Sequence, residues 1–389
     1  MPDNRYSAIE MIKKLISFDT TSRLSNLELI HFVSDYLSNL GVESNLIHDA
    51  GGEKANLYAT IGPPDVPGIV LSGHTDVVPV DGQAWDSDPF EVVEKDGKLY
   101  GRGTSDMKSF IAIALAMAPE FATTKLKTPI HLALSFDEEV GCIGAPLMIA
   151  KMDQFGAKPR AVIVGEPTLM SVVNAHKGVC SFYTTVHGLE RHSSEIDRGV
   201  NAVAYAAELV HFLSGISDEM RDQRSQPESG FNPPYTTVHV GTIQGGTAQN
   251  IVPLHCTFSW EYRLMPGADA NEIRDRFQTY VDDVVLPKMH AVDKSTGIET
   301  EVRAFVPGLA PEDGSPAEAL VLALARKNTT EVVAYGTEAG QFQEAGNPAV
   351  VCGPGSIAQA HKPNEFIELS EVRACEQFMR RLLDEVCAA

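Results

Sequence analysis

Gly68-Ile69-Val70-Leu71-Ser72-Gly73-His74-Thr75-Asp76-Val77-Val78-Pro79 is a short apolar run that stops on a histidine and a carboxylate two residues apart. Ile69, Val70 and Leu71 belong to a run with the length and β-branched content of a fully buried strand, and Pro79 breaks the chain beyond it. His74 and Asp76 therefore stand at a strand's carboxyl end. In open α/β sheets that edge is where ligands collect, and a carboxylate near a histidine fixes the tautomer in which the ring binds a metal. The pair predicts His74 as a metal ligand and Asp76 as its orienting partner. Taken by itself it also reads as a turn histidine capped by an aspartate.

The pattern recurs along the chain. A second buried strand, Ile130 to Phe136, ends in Asp137-Glu138-Glu139, three adjacent carboxylates that repel one another unless a cation lies between them. A third, Ala161 to Val164, runs into Gly165-Glu166-Pro167, and a fourth, Ala349 to Cys352, leads through Gly353-Pro354-Gly355 to His361. The Gly-x-Gly of that last loop lacks the lysine of a phosphate-binding loop. Between the first two strands, Gly101-Arg102-Gly103-Thr104-Ser105-Asp106-Met107-Lys108 turns into an apolar helix expected from Ser109 to Ala118 and stopped by Pro119. Asp106 lies just ahead of that helix, where a carboxylate also has an ordinary capping use.

His74, Asp106, Glu138, Glu139, Glu166 and His361 thus collect at strand carboxyl ends as two imidazoles and four carboxylates, without a thiolate. Such a donor set suits zinc, with cobalt or manganese as alternatives. With one acid kept back as a base, the remaining donors exceed the roughly three protein ligands of a single catalytic zinc. Two divalent ions sharing a carboxylate, roughly 3.5–4 Å apart, account for the number.

The rest of the chain sets an α/β frame. Residues 7–17 and 26–40 carry apolar positions at helical spacing, and Asn56 to Ile61 reads as a strand. From Val179 the order becomes strand (Cys180–Val186), helix (201–214), strands (235–243 and 256–263), helix (271–285) and strand (299–305), the β-α-β-β-α-β order of a ferredoxin-like domain. Asp218 to Pro234 reads as a polar loop. The first domain resumes after Val306 and closes on an amphipathic helix, 371–385. The expected architecture is a mixed, mostly parallel sheet flanked by helices (1–179 and 308–389) with an inserted α+β lid or dimerisation domain (180–307).

Lys plus Arg number 31 against 52 for Asp plus Glu, a formal charge of -21, which argues against nucleic acid or an anionic membrane as partner. The six cysteines form no CxxC pair, so neither a disulfide framework nor a thiolate zinc site is indicated, and a reducing cytoplasm fits. Met1-Pro2-Asp3-Asn4-Arg5 lacks the apolar core of a signal peptide, and no run is long enough to span a bilayer. A cytoplasmic protein is expected.

GHTDVVP (73–79), GRGTSDMK (101–108), DEEVG (137–141), GEPT (165–168), GGTAQN (245–250) and GPGSIAQAHKPNEF (353–366) together resemble the dizinc amidohydrolase family that holds acetylornithine deacetylases, succinyl-diaminopimelate desuccinylases and glutamate carboxypeptidases. The resemblance covers nearly the whole chain, and GTEAG (336–340) with QAHKPNEF is more similar to the first of these groups than to the desuccinylases. It implies His74 and Glu166 on one metal ion, Glu139 and His361 on the other, Asp106 bridging, and Glu138 as the base that activates water. It also implies a homodimer in which His192 reaches an oxyanion across subunits, with Arg263 and Asn250 binding a substrate carboxylate. Around His192 the chain departs from the family pattern, reading Gly188-Leu189-Glu190-Arg191-His192-Ser193-Ser194-Glu195 without the usual proline.

A strained or cis peptide after Asp106, a hinge near Gly178 and Pro307, and Glu338 or Glu195 for a substrate ammonium complete the expectations. The implied reaction is removal of the acetyl group from N2-acetyl-L-ornithine, giving ornithine and acetate. Another N-acyl amino acid or a dipeptide is the alternative within the fold, and a non-catalytic metal- or peptide-binding relative the alternative outside enzymes.

Overall fold

The computed structural model describes residues 5–387, so the N-terminal reading over residues 1–4 lies outside the described residues. In chain order the strands are β1 Ser44–His48, β2 Ala55–Ile61, β3 Ile69–His74, β4 Val93–Lys95, β5 Lys98–Tyr100, β6 Ile130–Ser135, β7 Ala161–Pro167 and β8 Val172–His176. They continue with β9 Gly178–His187, β10 Thr237–Gly245, β11 His255–Leu264, β12 Gly297–Val306, β13 Thr330–Val333, β14 Ala349–Gly353 and β15 Phe366–Glu368. Two compact units result. One comprises the chain up to Ala175 with Leu309–Val332 and Thr337 onward, the other His176–Gly308 with Val333–Gly336.

The first unit is built on a mixed sheet of order β1-β2-β6-β3-β7-β14-β8-β13. Its middle strands β6, β3, β7 and β14 run parallel, while β1 and β2 are antiparallel to their neighbours and β8 is antiparallel to β14. All residues of β3, β6, β7 and β14 are buried, as the near-continuous apolar runs of a doubly covered parallel sheet require. A smaller sheet of order β15-β5-β4 belongs to the same unit.

The helix Lys108–Thr123 packs on β3, β6 and β7 and against the helices Ala8–Ile16 and Leu369–Cys387. Its approach to β7 depends on Gly165, where a Cβ would lie 2.0 Å from Cγ of Phe110. The expectation that Pro119 stops this helix fails, because the helix runs through it to Thr123. Ala118 and Phe121 are fully buried on either side, and the Thr123 hydroxyl donates to the Pro119 carbonyl at 2.7 Å. Core burial here outweighs the lost amide donor.

In the second unit the sheet order is β10-β11-β9-β12, every neighbour antiparallel, with β9 and β11 alternating buried and half-buried residues. This is the β-α-β-β-α-β arrangement. The helix beginning at Ala202 runs to Gln223 rather than Ser214, because Leu209, Leu213, Ile216 and Met220 extend one buried stripe. Six residues of the expected polar loop are therefore helical, from Asp218 to Gln223. Similarly, the expected 271–285 helix continues through a π-helical stretch, Val281–Val285, to His290. Among the described residues no helix is long and apolar enough to cross a membrane.

Candidate metal centre and active site

The parallel strands deliver their ends to one edge of the first unit's sheet. His74 is the last residue of β3 and pairs in register with Ser135, the last of β6; the acids Asp137, Glu138 and Glu139 follow directly. Glu166 lies near the end of β7, beside which β14 runs parallel before the loop to His361. Asp106 comes from the turn before the Lys108–Thr123 helix, where the Asp106–Met107 peptide is cis.

These side chains meet. His74 Nε2 lies 3.1 Å from Asp106 Oδ1 and 3.6 Å from Glu166 Oε1. His361 Nε2 lies 3.1 Å from Asp106 Oδ2 and 3.0 Å from Glu139 Oε2. The two oxygens of Asp106 therefore face two different imidazoles. Donor atoms of His74, Asp106 and Glu139 all fall within 4.8 Å of one another, as do those of His74, Glu138 and Glu166.

Asp76 acts on this cluster by two routes. Its main-chain carbonyl lies 2.9 Å from His74 Nδ1, while its carboxylate is 3.6 Å from that nitrogen. The carboxylate accepts instead from the amides of Glu138 (3.1 Å) and Glu139 (3.3 Å) and from the Ser22 hydroxyl (2.7 Å). One residue thus orients the His74 ring and fixes the backbone of the next two acids. Lys54 neutralises the third, holding Asp137 at 2.6 Å. The Cys142 thiol donates to Glu138 Oε1 at 3.2 Å.

Burial makes the electrostatics severe. Glu138 is pushed up to about 8 by burial and by the neighbouring Glu139 and Asp106, and Glu139 up to about 7 by burial and Asp106. Burial and then Asp106 hold Glu166 well above the usual carboxylate range. For Asp106 burial works the other way from its partners, yet hydrogen bonds with His361 and His74 keep its carboxyl low. The same contacts push His361 up to about 10 and, against burial, raise His74. Carboxylates this crowded stay charged only beside cations. A cluster of imidazole and carboxylate donors around one shared carboxylate fits divalent ions such as zinc.

His192, Asn250 and Arg263 lie in the second unit. The Ser193 amide donates to the Asn250 carbonyl at 2.9 Å, His192 bridges to Ile251, and Ser194 Oγ holds His192 Nδ1 at 2.8 Å. Arg263 pairs with Glu261 at 3.0 Å, and Glu195 with Arg198 at 3.1 Å. Glu338, in the first unit, is 1% exposed and accepts from Ser72 (2.6 Å) and Ser135 (2.7 Å). Its carboxylate therefore braces β3 against β6 instead of standing open for an ammonium.

Sequence reasoning missed Cys142, Lys54, Arg102 and Glu365 as parts of the site's surroundings. Only their folded partners reveal them, since none sits at a strand end beside a second ligating residue.

The sequence model described as Peptidase family M20/M25/M40 matches residues 70–385. The chain is 36% identical over 383 residues to the acetylornithine deacetylase of Myxococcus xanthus, covering 97% of this chain and 96% of that protein. It is 33% identical over 393 residues to the acetylornithine deacetylase of Proteus mirabilis, covering 98% and 97%. Among solved structures, the M20 family metallo-carboxypeptidase Sso-CP2 from Sulfolobus solfataricus has the same fold, with a TM-score of 0.77 at 18% identity over 97% of this chain and 98% of that one. The paired histidines and shared aspartate sit within the matched span, and the chain belongs to peptidase family M20/M25/M40 as a metal-dependent amidohydrolase.

Proposed function

We propose that this chain removes the acetyl group from N2-acetyl-L-ornithine, releasing ornithine and acetate. The observation that carries the hydrolytic reading is Asp106, whose two oxygens each lie 3.1 Å from a different imidazole, His74 and His361. The acetylornithine deacetylases at 33–36% identity over nearly the full length support the choice of substrate.

His74 and Glu166 would hold one divalent cation, zinc or cobalt, and Glu139 and His361 a second, with Asp106 between them. When bound, such ions supply Lewis-acid polarisation of the acyl oxygen and make water acidic near neutral pH. Glu138 takes the proton from the attacking water and returns it to the departing amine, base first and acid afterwards. Cations bound beside it would hold the Glu138 carboxylate ionised, as a base requires. Asp76 holds Glu138 in place through its amide at 3.1 Å, and Cys142 steadies the carboxylate with its thiol.

From the second unit, His192 serves the developing oxyanion of a partner subunit in a homodimer, while Arg263 and Asn250 bind the substrate carboxylate. The domains are read as a catalytic one, 1–179 with 308–389, and an inserted lid or dimerisation domain, 180–307. Mixing the inactive His192→Ala and Glu138→Ala proteins is expected to restore part of the activity. Unchanged inactivity in a mixture shown to exchange subunits would remove the cross-subunit role.

The deciding assay follows ornithine and acetate release from N2-acetylornithine beside N-succinyl-diaminopimelate and dipeptides, with and without chelator. Release from N2-acetylornithine alone, lost on chelation, is the expected result. Preference for one of the other substrates would transfer the proposal to that class.

A further inference from the structure

Arg102 and Glu365 are 1% and 0% exposed and meet at 2.6 Å. A buried ion pair recovers its desolvation cost only when further hydrogen bonds fill its remaining sites; here the carboxylate and both terminal guanidinium nitrogens are engaged, and Arg102 Nε finds no acceptor. Besides Arg102 Nη1, the Glu365 carboxylate accepts from the amides of Gly103 (3.1 Å), Ser105 (2.7 Å) and Asp106 (3.0 Å). One side chain thus gathers the amides of the turn that presents Asp106.

The network has a second end. Arg102 Nη2 donates to Gln83 Oε1 at 2.7 Å, and Gln83 Nε2 donates to the main-chain carbonyl of His361 at 3.0 Å. Arg102 Nη1 also reaches the Lys362 carbonyl at 3.4 Å, and the Trp85 ring lies 5.2 Å from the guanidinium. The chain of contacts therefore starts at the amide of Asp106 and ends at the carbonyl of His361. Those are the residues whose side chains face each other at 3.1 Å.

We propose that Glu365 is a positioning residue: through Arg102 and Gln83 it sets the spacing between Asp106 and His361, and with it the affinity of the cation these two would share with Glu139. This rests on the two-ion reading above. Glu365 does not touch the cation; it fixes two ligands that come from segments far apart in the chain. A network lost on one side leaves the Asp106 turn and the His361 loop free to move independently.

The test is a zinc titration of the metal-stripped full chain against a chromophoric chelator, for the parent protein, Glu365→Gln, Gln83→Ala, His361→Ala and the double variant Glu365→Gln/His361→Ala, with melting temperatures recorded in parallel. The parent is expected to take two zinc ions. In Glu365→Gln the ion that His361→Ala also weakens should lose about 10–100-fold in affinity, the range seen when groups orienting a metal ligand are removed, and the other ion should lose less. Gln83→Ala should shift the same ion in the same direction by a smaller factor. Adding Glu365→Gln to His361→Ala should cost less than Glu365→Gln alone, since one of the two ligands whose spacing it sets is already gone.

A purely structural role would lower the melting temperature of Glu365→Gln and leave both affinities at the parent values, which would overturn the proposal. If that variant fails to fold, Gln83→Ala decides, and a parent-like titration by it rejects the network. A parent protein that binds fewer than two ions would overturn the two-ion reading itself, and this proposal with it.

Discussion

Asp106 gathers the site at the scale of single residues: it meets His74 through one oxygen and His361 through the other. Glu138 stands beside it, half-buried and pushed up to about 8, with its amide fixed by Asp76. Glu138→Gln is expected to lower kcat by about 10²–10⁴-fold while both ions stay bound, measured as turnover alongside metal content. Near-parental turnover with full metal content would assign the base elsewhere. The side chains that cluster here could be picked out from the sequence because each stands where an apolar run or a glycine-rich turn ends. Glu365 could not be read that way. Its importance comes from amides of Gly103, Ser105 and Asp106, which nothing in the local sequence connects to it.

At the scale of elements, the buried parallel strands were legible as unbroken apolar runs, and the inserted unit as an alternation of strand and helix spacing. Boundaries were less so. Pro119 suggested a stop that the burial of Phe121 overrides, and the polar residues after Ser214 hid a stripe continued by Ile216 and Met220. The strand β8 joins the sheet beside β14, a neighbour far away in sequence. In β6, His131 is fully buried, accepts or donates at 2.9 Å with Thr60, and stacks on Tyr58.

Burial pushes His131 down to about 4. Its folded value lies below that of an exposed histidine, about 6.5, so between these values the unfolded chain takes up a proton that the folded chain refuses. Stability is therefore lost as pH falls through this window, at about 1.4 kcal/mol per pH unit for this group, and the loss levels off below about 4. His131→Gln is expected to flatten the dependence of the urea midpoint between pH 6.5 and 4. An unchanged slope would mean that His131 is not the titrating group.

At the scale of the whole molecule, the formal charge of -21 repels polyanions. Ions that bind only the folded state add stability by mass action, about 2.7 kcal/mol at a hundred times Kd. Stripping them with a chelator should abolish hydrolysis and lower the melting temperature by about 5 °C or more, both restored by zinc, as calorimetry and assay on the same sample would report. Loss of neither would remove the metal from the account. The sheet order also bears on how the polypeptide is made. β14 lies between β7 and β8, yet it is synthesised only after the entire second unit. A growing chain on the ribosome consequently carries β7 with one margin bare until residues 349–353 emerge, and the carboxylate cluster around Asp106 lacks its second imidazole until His361 follows. Translation paused in that interval would leave a sticky, half-built sheet, a natural client for chaperones.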